Sequence, residues 1–286
     1  MTEGKIANTA QHQYWNTVAG PRWVGLDGFV EQRVGAVNDL LLARSGLRTG
    51  ESVIEIGCGT GAATVPFAEA VGPAGRVVGV DLSLPMLAAA RKRIAESGLA
   101  NISLVQADAQ VHPFEQDRFD LIASRFGVMF FADPTAAFAN LLPAARRGGR
   151  LCFVCWAPLE ENEHWLVPYR IAERHLGPAA PSSAHAPGPL AFSDPVYVRS
   201  ILDKAGFANV EIIRETPVIQ SSTPEEEAEH ALIIGPVARL LDEKNPDAAT
   251  RDTLRREMKE AFAGYARGKS MRLSSTVFIV TAERAQ

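Results

Sequence analysis

Between residues 51 and 156 the apolar positions switch repeatedly between two spacings. Short runs at 52–57, 76–81, 101–106, 119–124 and 150–156 are dense in Val, Ile, Leu and Phe and read as strands. The stretches between them, at about 60–70, 84–97 and 134–145, repeat every three to four positions and read as helices. Strands and helices of this length in strict alternation predict a parallel sheet covered by helices on both faces. Right-handed crossovers then leave few topologies. Upstream, Val30, Val34, Val37 and Leu41 fall on one face of a helix over about 29–44, preceded by an arm carrying Tyr14, Trp15 and Trp23.

Beyond residue 156 the alternation breaks. Residues 157–193 hold Pro168, Pro178, Pro181, Pro187 and Pro189 among small residues and read as an insertion. A helix is expected over 195–204 and a strand over 210–219. Thr223-Pro-Glu-Glu226 is a capping box with proline at the first helical position, so a helix starts there. Gly235-Pro236 interrupts it, and Asn245-Pro246 opens another helix with Leu254, Met258, Phe262 and Tyr265 on one face. Its Arg251, Arg255, Arg256 and Lys259 alternate with Glu257 and Glu260, which marks a solvated charged face. An apolar strand over 275–281 follows. The expected organisation is an N-terminal helical arm (1–50), an α/β core (51–156), two cap insertions (157–193 and 221–272), and remaining core elements at 194–220 and 273–286.

Composition narrows the function classes. The chain has 286 residues, 47% of them hydrophobic and 22% charged, enough for a sizeable core without disulfides or metals. Its net charge of −4 argues against a protein whose task is to neutralise phosphates, so nucleic acid is not an expected partner. No uncharged run approaches the roughly 18 apolar residues of a membrane span. The polar start lacks a signal-peptide core, so the expected location is cytoplasmic. Cys152 and Cys155 form a C-x-x-C, but within an apolar strand they face opposite sides of the sheet. With no second Cys/His pair at ligand spacing, no metal site is expected.

The chemistry concentrates in Val53-Ile-Glu-Ile-Gly-Cys-Gly-Thr-Gly61. A strand runs into three glycines and then into a helix. Glycine permits positive φ and close approach of a ligand to the backbone, and a helix start offers unpaired N–H groups. Asp81 ends the next strand, where a carboxylate can accept from two ribose hydroxyls. These features point to an adenosine-containing cofactor, and Gly57-x-Gly59-x-x-Ala62 leaves NAD open. Glu55 at the strand end could face a cationic amino group, which an NAD pyrophosphate does not offer. Asp108-Ala109-Gln110 follows the third strand, placed to read the edge of an adenine, and Met86 could pack on its face.

Glu55-x-Gly57-x-Gly59-x-Gly61, Val80-Asp81-Leu82-Ser83-x-x-Met86, Ala107-Asp108-Ala109 and Phe119-Asp120-Leu121-Ile122 together resemble the class I S-adenosylmethionine-dependent methyltransferases. Within these, the likeness is to the bacterial small-molecule group that includes ubiquinone/menaquinone-biosynthesis and natural-product enzymes. The resemblance implies an α/β fold with a doubly wound, mostly parallel seven-stranded sheet whose last strand is antiparallel. It implies S-adenosyl-L-methionine as cofactor. Glu55 and the backbone of Gly57, Cys58 and Gly59 would hold the methionine end, and Asp81 the ribose. Leu82 and Met86 would line the adenine slot, with Asp108 and Ala109 on its edge and the Arg125 carbonyl at the methionine amino group.

The expected reaction is in-line methyl transfer to oxygen, nitrogen or carbon of a small, partly apolar acceptor; NAD-dependent oxidoreduction and cofactor binding without turnover are the alternatives. Candidate general bases are His164, beside Trp165, and Tyr14 in the arm. Ser124-Arg-Phe-Gly127 stands where nucleic-acid amino-methyltransferases carry Asn/Asp-Pro-Pro-Tyr/Phe, and supplies no carboxylates for a metal-dependent catechol type. Met129 and Phe130 replace the His-His pair of many relatives, making that wall apolar. Trp165, Tyr169, Phe192, Tyr197, Leu232, Ile233 and Ile234 are expected to form the cap over the methyl site. A homodimer is left open.

Overall fold

The computed structural model describes residues 5–181, 183–221, 223–267 and 270–286. Three helices come first: α1 (Thr9–Thr17), α2 (Ala19–Gly25) and α3 (Asp27–Ser45). The core follows as β1 (Ser52–Ile56), α4 (Thr64–Val71), β2 (Arg76–Asp81), α5 (Leu84–Ser97), β3 (Ile102–Gln106), β4 (Phe119–Arg125), α6 (Pro134–Leu141) and β5 (Ala145–Trp156). The chain continues through α7 (Glu163–Leu176), α8 (Pro195–Ala205), β6 (Ala208–Glu215), β7 (Ile219–Ser221), α9 (Pro224–Ala231), α10 (Gly235–Lys244), α11 (Ala248–Ala263), β8 (Ala266–Arg267), β9 (Ser270–Leu273) and β10 (Val277–Glu283).

Seven strands form the main sheet in the order β3-β2-β1-β4-β5-β10-β6. β1 runs parallel to β2 and β4, and β10 is antiparallel to both its neighbours, β5 and β6. This is the doubly wound arrangement with an antiparallel last strand that the sequence resemblance implies. The order reverses direction between β1 and β4, which opens a crevice at their carboxyl ends. Every residue of β1 is buried, as expected of a parallel strand covered on both faces. The cores of the strands pack against Phe67, Phe138 and the Val37–Leu41 face of α3.

The helix starts follow local chemistry. Ser83 caps α5, Asp133 caps α6 and Asp194 caps α8, each followed by proline in the first turn. Thr223 and Glu226 make the reciprocal capping box of α9.

Two regions differ from the sequence expectation. Residues 163–176, read within a proline-rich insertion, form the amphipathic α7 with Pro168 inside it. Residues 219–221, 266–267 and 270–273 pair as a small sheet, β7-β9-β8, that no local pattern announced. A second hydrophobic cluster links these parts: Ile171, Val237, Leu240, Leu241, Leu254, Met258, Phe262, Met271 and Leu273 are buried together, apart from the sheet core. No helix among the described residues is long and apolar enough to cross a membrane.

Candidate active site

The loop after β1 turns through Gly57, Gly59 and Gly61, all at positive φ. At Gly57 the backbone is also crowded: a Cβ would stand 2.6 Å from the Cα of Gly127. The loops after β1 and β4 therefore touch main chain to main chain. Met86 reaches the same loop, its Cε 3.1 Å from where a Gly59 Cβ would be. Met86 is buried there, as a wall of the glycine loop.

Carboxylates flank the loop. Asp81 accepts from the Gly59 N–H and the Ser83 N–H, each at 2.8 Å, one on each oxygen. Each oxygen keeps a lone pair for a further donor such as a ribose hydroxyl. Burial raises its pKa, and the N–H donors hold it back. Glu55 is 1% exposed and accepts from Thr64 Oγ1 at 2.5 Å. Burial pushes its pKa up to about 8, against the opposing pull of Thr64 and the Arg125 cation. A carboxyl this deeply buried without a directly paired cation fits the ammonium of an amino-acid group.

α3 stitches the site from outside. Asp27 accepts from Thr60 Oγ1 at 2.6 Å and pairs with Arg93 of α5. Glu31 and Arg125 form a bidentate pair at 2.6 and 3.0 Å. These partners lie more than thirty positions apart, so sequence reading missed them.

Asp108 behaves differently from the sequence expectation. Its carboxylate accepts from the N–H groups of Ala7 and Asn8 at 2.8 Å, from Asn8 Nδ2 at 3.1 Å and from the Gln110 N–H at 3.0 Å. Both oxygens are taken by the chain itself, and the buried Asn8 also accepts from the Ala132 N–H at 2.6 Å. The arm is further tied down by Ser83 Oγ donating to the Trp15 carbonyl and Asn16 bridging Leu82 and Leu84. Asp108 thus clasps the arm beside Ala109.

An aromatic wall leads away from the loops. Phe126, next to Gly127, has φ +61, a conformation rare for a bulky residue and frequent at functional sites. Its ring stacks on Trp156 at 4.3 Å, and Trp156 contacts His164 at 5.2 Å and Trp165 at 4.7 Å. His164 is 2% exposed with no hydrogen-bond partner at Nδ1. Burial first, then the Arg33 cation, drive its pKa well below the ordinary value, although the Ser274 carbonyl acts in the other direction. The ring is neutral at pH 7.

Tyr14 is 39% exposed, its ring edge-on to Trp15 at 6.2 Å, with Asp242, Arg22 and Arg239 near it. Phe192 is buried against Phe138 and Phe153 in the sheet core, and Tyr197 stacks on His185. Neither belongs to the cluster around α9–α11, because α8 packs on α6 and the sheet. Cys152 and Cys155 are buried free thiols. Among the described residues no group of three or more His, Cys, Asp or Glu could hold a metal.

Comparison with known proteins identifies the family. Residues 53–149 match the model of a methyltransferase domain. The ubiquinone/menaquinone biosynthesis C-methyltransferase UbiE of Saccharophagus degradans is 34% identical over 174 residues, 57% of this chain and 70% of that protein. The chain belongs to the S-adenosylmethionine-dependent methyltransferases. This methyltransferase is also 43% identical over 105 residues to the aklanonic acid methyltransferase DauC of Streptomyces sp. strain C5, a match spanning 37% of the chain and about half (48%) of that relative. In fold it is similar to phosphoethanolamine N-methyltransferase 2 of Haemonchus contortus in complex with S-adenosyl-L-methionine, at a TM-score of 0.54 and 19% identity over 88% of this chain and 53% of that one. Membership in the family displaces the NAD alternative and makes S-adenosyl-L-methionine the cofactor. The open glycine loop, the uncompensated Glu55 and the lone pairs left on Asp81 fit that group.

Proposed function

We propose that this methyltransferase transfers a methyl group from S-adenosyl-L-methionine to a small, partly apolar metabolite held beneath a cap built from 157–193 and 221–272. The observation that carries the reading is the junction of the Gly57–Gly127 contact with the Phe126–Trp156–His164 wall. It sets the glycine loop beside an aromatic wall at the carboxyl ends of β1, β4 and β5.

The cofactor supplies a methyl group already activated on a sulfonium. Glu55 and the Gly57–Gly59 backbone, including Cys58, hold its methionine end, and the Arg125 carbonyl takes the amino group. Asp81 accepts the ribose hydroxyls, while Leu82, Met86 and Ala109 surround the adenine and Asp108 holds the arm beside them. The protein's remaining task is to orient the acceptor in line with the methyl group and exclude water, an effect worth about 7–11 kcal/mol in favourable intramolecular cases. Phe126, Trp156 and Trp165 exclude water. His164, neutral and unpartnered at Nδ1, contacts the acceptor and can take its proton.

The test is calorimetry or thermal shift with S-adenosylhomocysteine, S-adenosylmethionine and NAD on the wild type and Asp81→Ala. A ligand at a hundred times its Kd adds about 2.7 kcal/mol of stability. Shifts with the sulfur compounds alone, lost in the variant, are expected; a shift with NAD alone overturns the reading. Methylation of an acceptor panel with labelled donor then separates an enzyme from a cofactor-binding protein without turnover.

A further inference from the structure

The first two helices are held to the core by polar contacts. None of the residues of α1 is buried, and of α2 only Gly20 is. Asn8, just ahead of α1, is 2% exposed with every polar group paired. Its N–H and Nδ2 donate to the two oxygens of Asp108, its Oδ1 accepts from the Ala132 N–H, and its carbonyl accepts from the His12 N–H. One residue thereby joins the loops after β3 and β4. Further along α1 the Trp15 carbonyl accepts from Ser83 Oγ at 2.9 Å, and Asn16 bonds the backbone of Leu82 and Leu84. Gly20 comes so near that a Cβ would stand 2.7 Å from Ser83 Oγ. Ser83 in turn donates its N–H to Asp81. Trp15 meets Phe130 edge-on at 5.1 Å, and Arg22 pairs with Asp242 of α10.

These anchors sit on the loops after β2, β3 and β4, at the carboxyl ends where the crevice of such a sheet opens. The same loops carry Asp81 and Ala109, assigned above to the adenosine. α1 and α2 thus span the mouth of that slot from the β3 side to the β4 side. Asp108 has four donors on its two oxygens, from Ala7, Asn8 twice and Gln110, so it is committed to the arm. A segment fixed by hydrogen bonds with few buried apolar contacts belongs to the low-stability end of a protein and opens before its core does.

We infer that α1 and α2 form a gate over the adenosine half of the cofactor, latched by Asn8 on Asp108, which opens to let S-adenosylmethionine in and S-adenosylhomocysteine out. This rests on the methyltransferase reading of the site. Asn8 is then a positioning residue, acting through Asp108 and Ala132. A gate that stands closed slows entry and exit alike, so breaking its latch speeds both rates and changes Kd little.

The test measures association and dissociation of S-adenosylhomocysteine on the immobilised full chain by surface plasmon resonance. Asn8→Ala is expected to raise both rates about tenfold while Kd stays within about threefold of the wild type. Gly20→Ala lifts α2 from Ser83 without touching Asp108 and should act in the same direction, so the test survives if the first variant does not fold. In the wild type, hydrogen exchange over 8–25 should be at least about tenfold faster than over β1, β2 and β4. Faster release with unchanged entry marks a direct contact, and unchanged rates or an arm that exchanges as slowly as β1 mark a fixed one; each overturns the gate. Failure of the wild type to bind S-adenosylhomocysteine sinks the methyltransferase reading itself and is read before any variant is compared.

Discussion

The cofactor half and the outer half of this molecule are built by different means. In the first, β1, β2 and β4 lie in continuous parallel register, and the glycine loop is tied by its backbone to a strand-end carboxylate, the Gly59 N–H to Asp81. In the second, α7 and α9–α11 enclose a cluster of their own and reach α3 and β5 through side chains: Glu227 to Arg33, His230 to Phe29, Trp165 to Trp156. Backbone register tolerates almost no adjustment, because a slip moves every residue of a strand at once. Side-chain bridges can be altered one at a time. The core half is thereby fixed and the outer half tunable.

The strongest challenge to this contrast is Glu227→Ala. It leaves Arg33 buried and uncompensated, at a cost of about 3–5 kcal/mol. Hydrogen exchange should accelerate over α9–α11 while β1, β2 and β4 keep their protection. Uniform loss across both halves would show a single cooperative unit. Next comes Gly57→Ala, where the added Cβ meets Gly127 at 2.6 Å and φ is +67. A cost of about 2 kcal/mol or more is expected, with loss of S-adenosylhomocysteine binding. Gly235→Ala, at the start of α10, meets the Trp165 ring at 3.0 Å at a φ of +84; it should cost stability but leave cofactor binding intact.

A subtler effect concerns Glu55. In the folded protein its carboxyl keeps a proton up to about pH 8, against an ordinary value of 4.5. The folded state then binds the extra proton between these values, so stability falls as pH rises from about 4.5 to 8. Glu55→Gln should flatten that slope by a few kcal/mol across the window while weakening S-adenosylhomocysteine binding. Denaturation at pH 5 and 8 checks the first and calorimetry the second; an unchanged slope would mean that Glu55 is ionised in the free protein. The smallest expected effect is that of Thr223→Ala, which removes one side of the α9 capping box for about 1 kcal/mol.

The same division explains what was legible in the sequence. Glu55, the glycine loop and Asp81 were readable because strand, turn and helix follow one another within some thirty positions, each with its own local pattern. The capping box at Thr223 and the face Leu254–Met258–Phe262 were readable for the same reason. The Glu31–Arg125 and Arg33–Glu227 pairs were not, being made across 94 and 194 positions. α7 was hidden by its proline, and the β7-β9-β8 sheet by the shortness of its strands. Asp108 reads in the sequence as an acceptor for the adenine edge, and sequence order gives no sign that Ala7 and Asn8 return to fill its carboxylate.

The Gly57–Gly127 contact bears on how such a protein can change over time. Because nothing but main chain separates the two loops, no substitution can lengthen or shorten the step between them by degrees. Change is freer elsewhere, on segments such as 157–193 and 221–272 that can be exchanged, lengthened or resurfaced while the geometry of the two loops stays the same. A hybrid carrying a relative's outer segments on this core would inherit the donor geometry unaltered, and any change in what it methylates could be credited to the transplanted part.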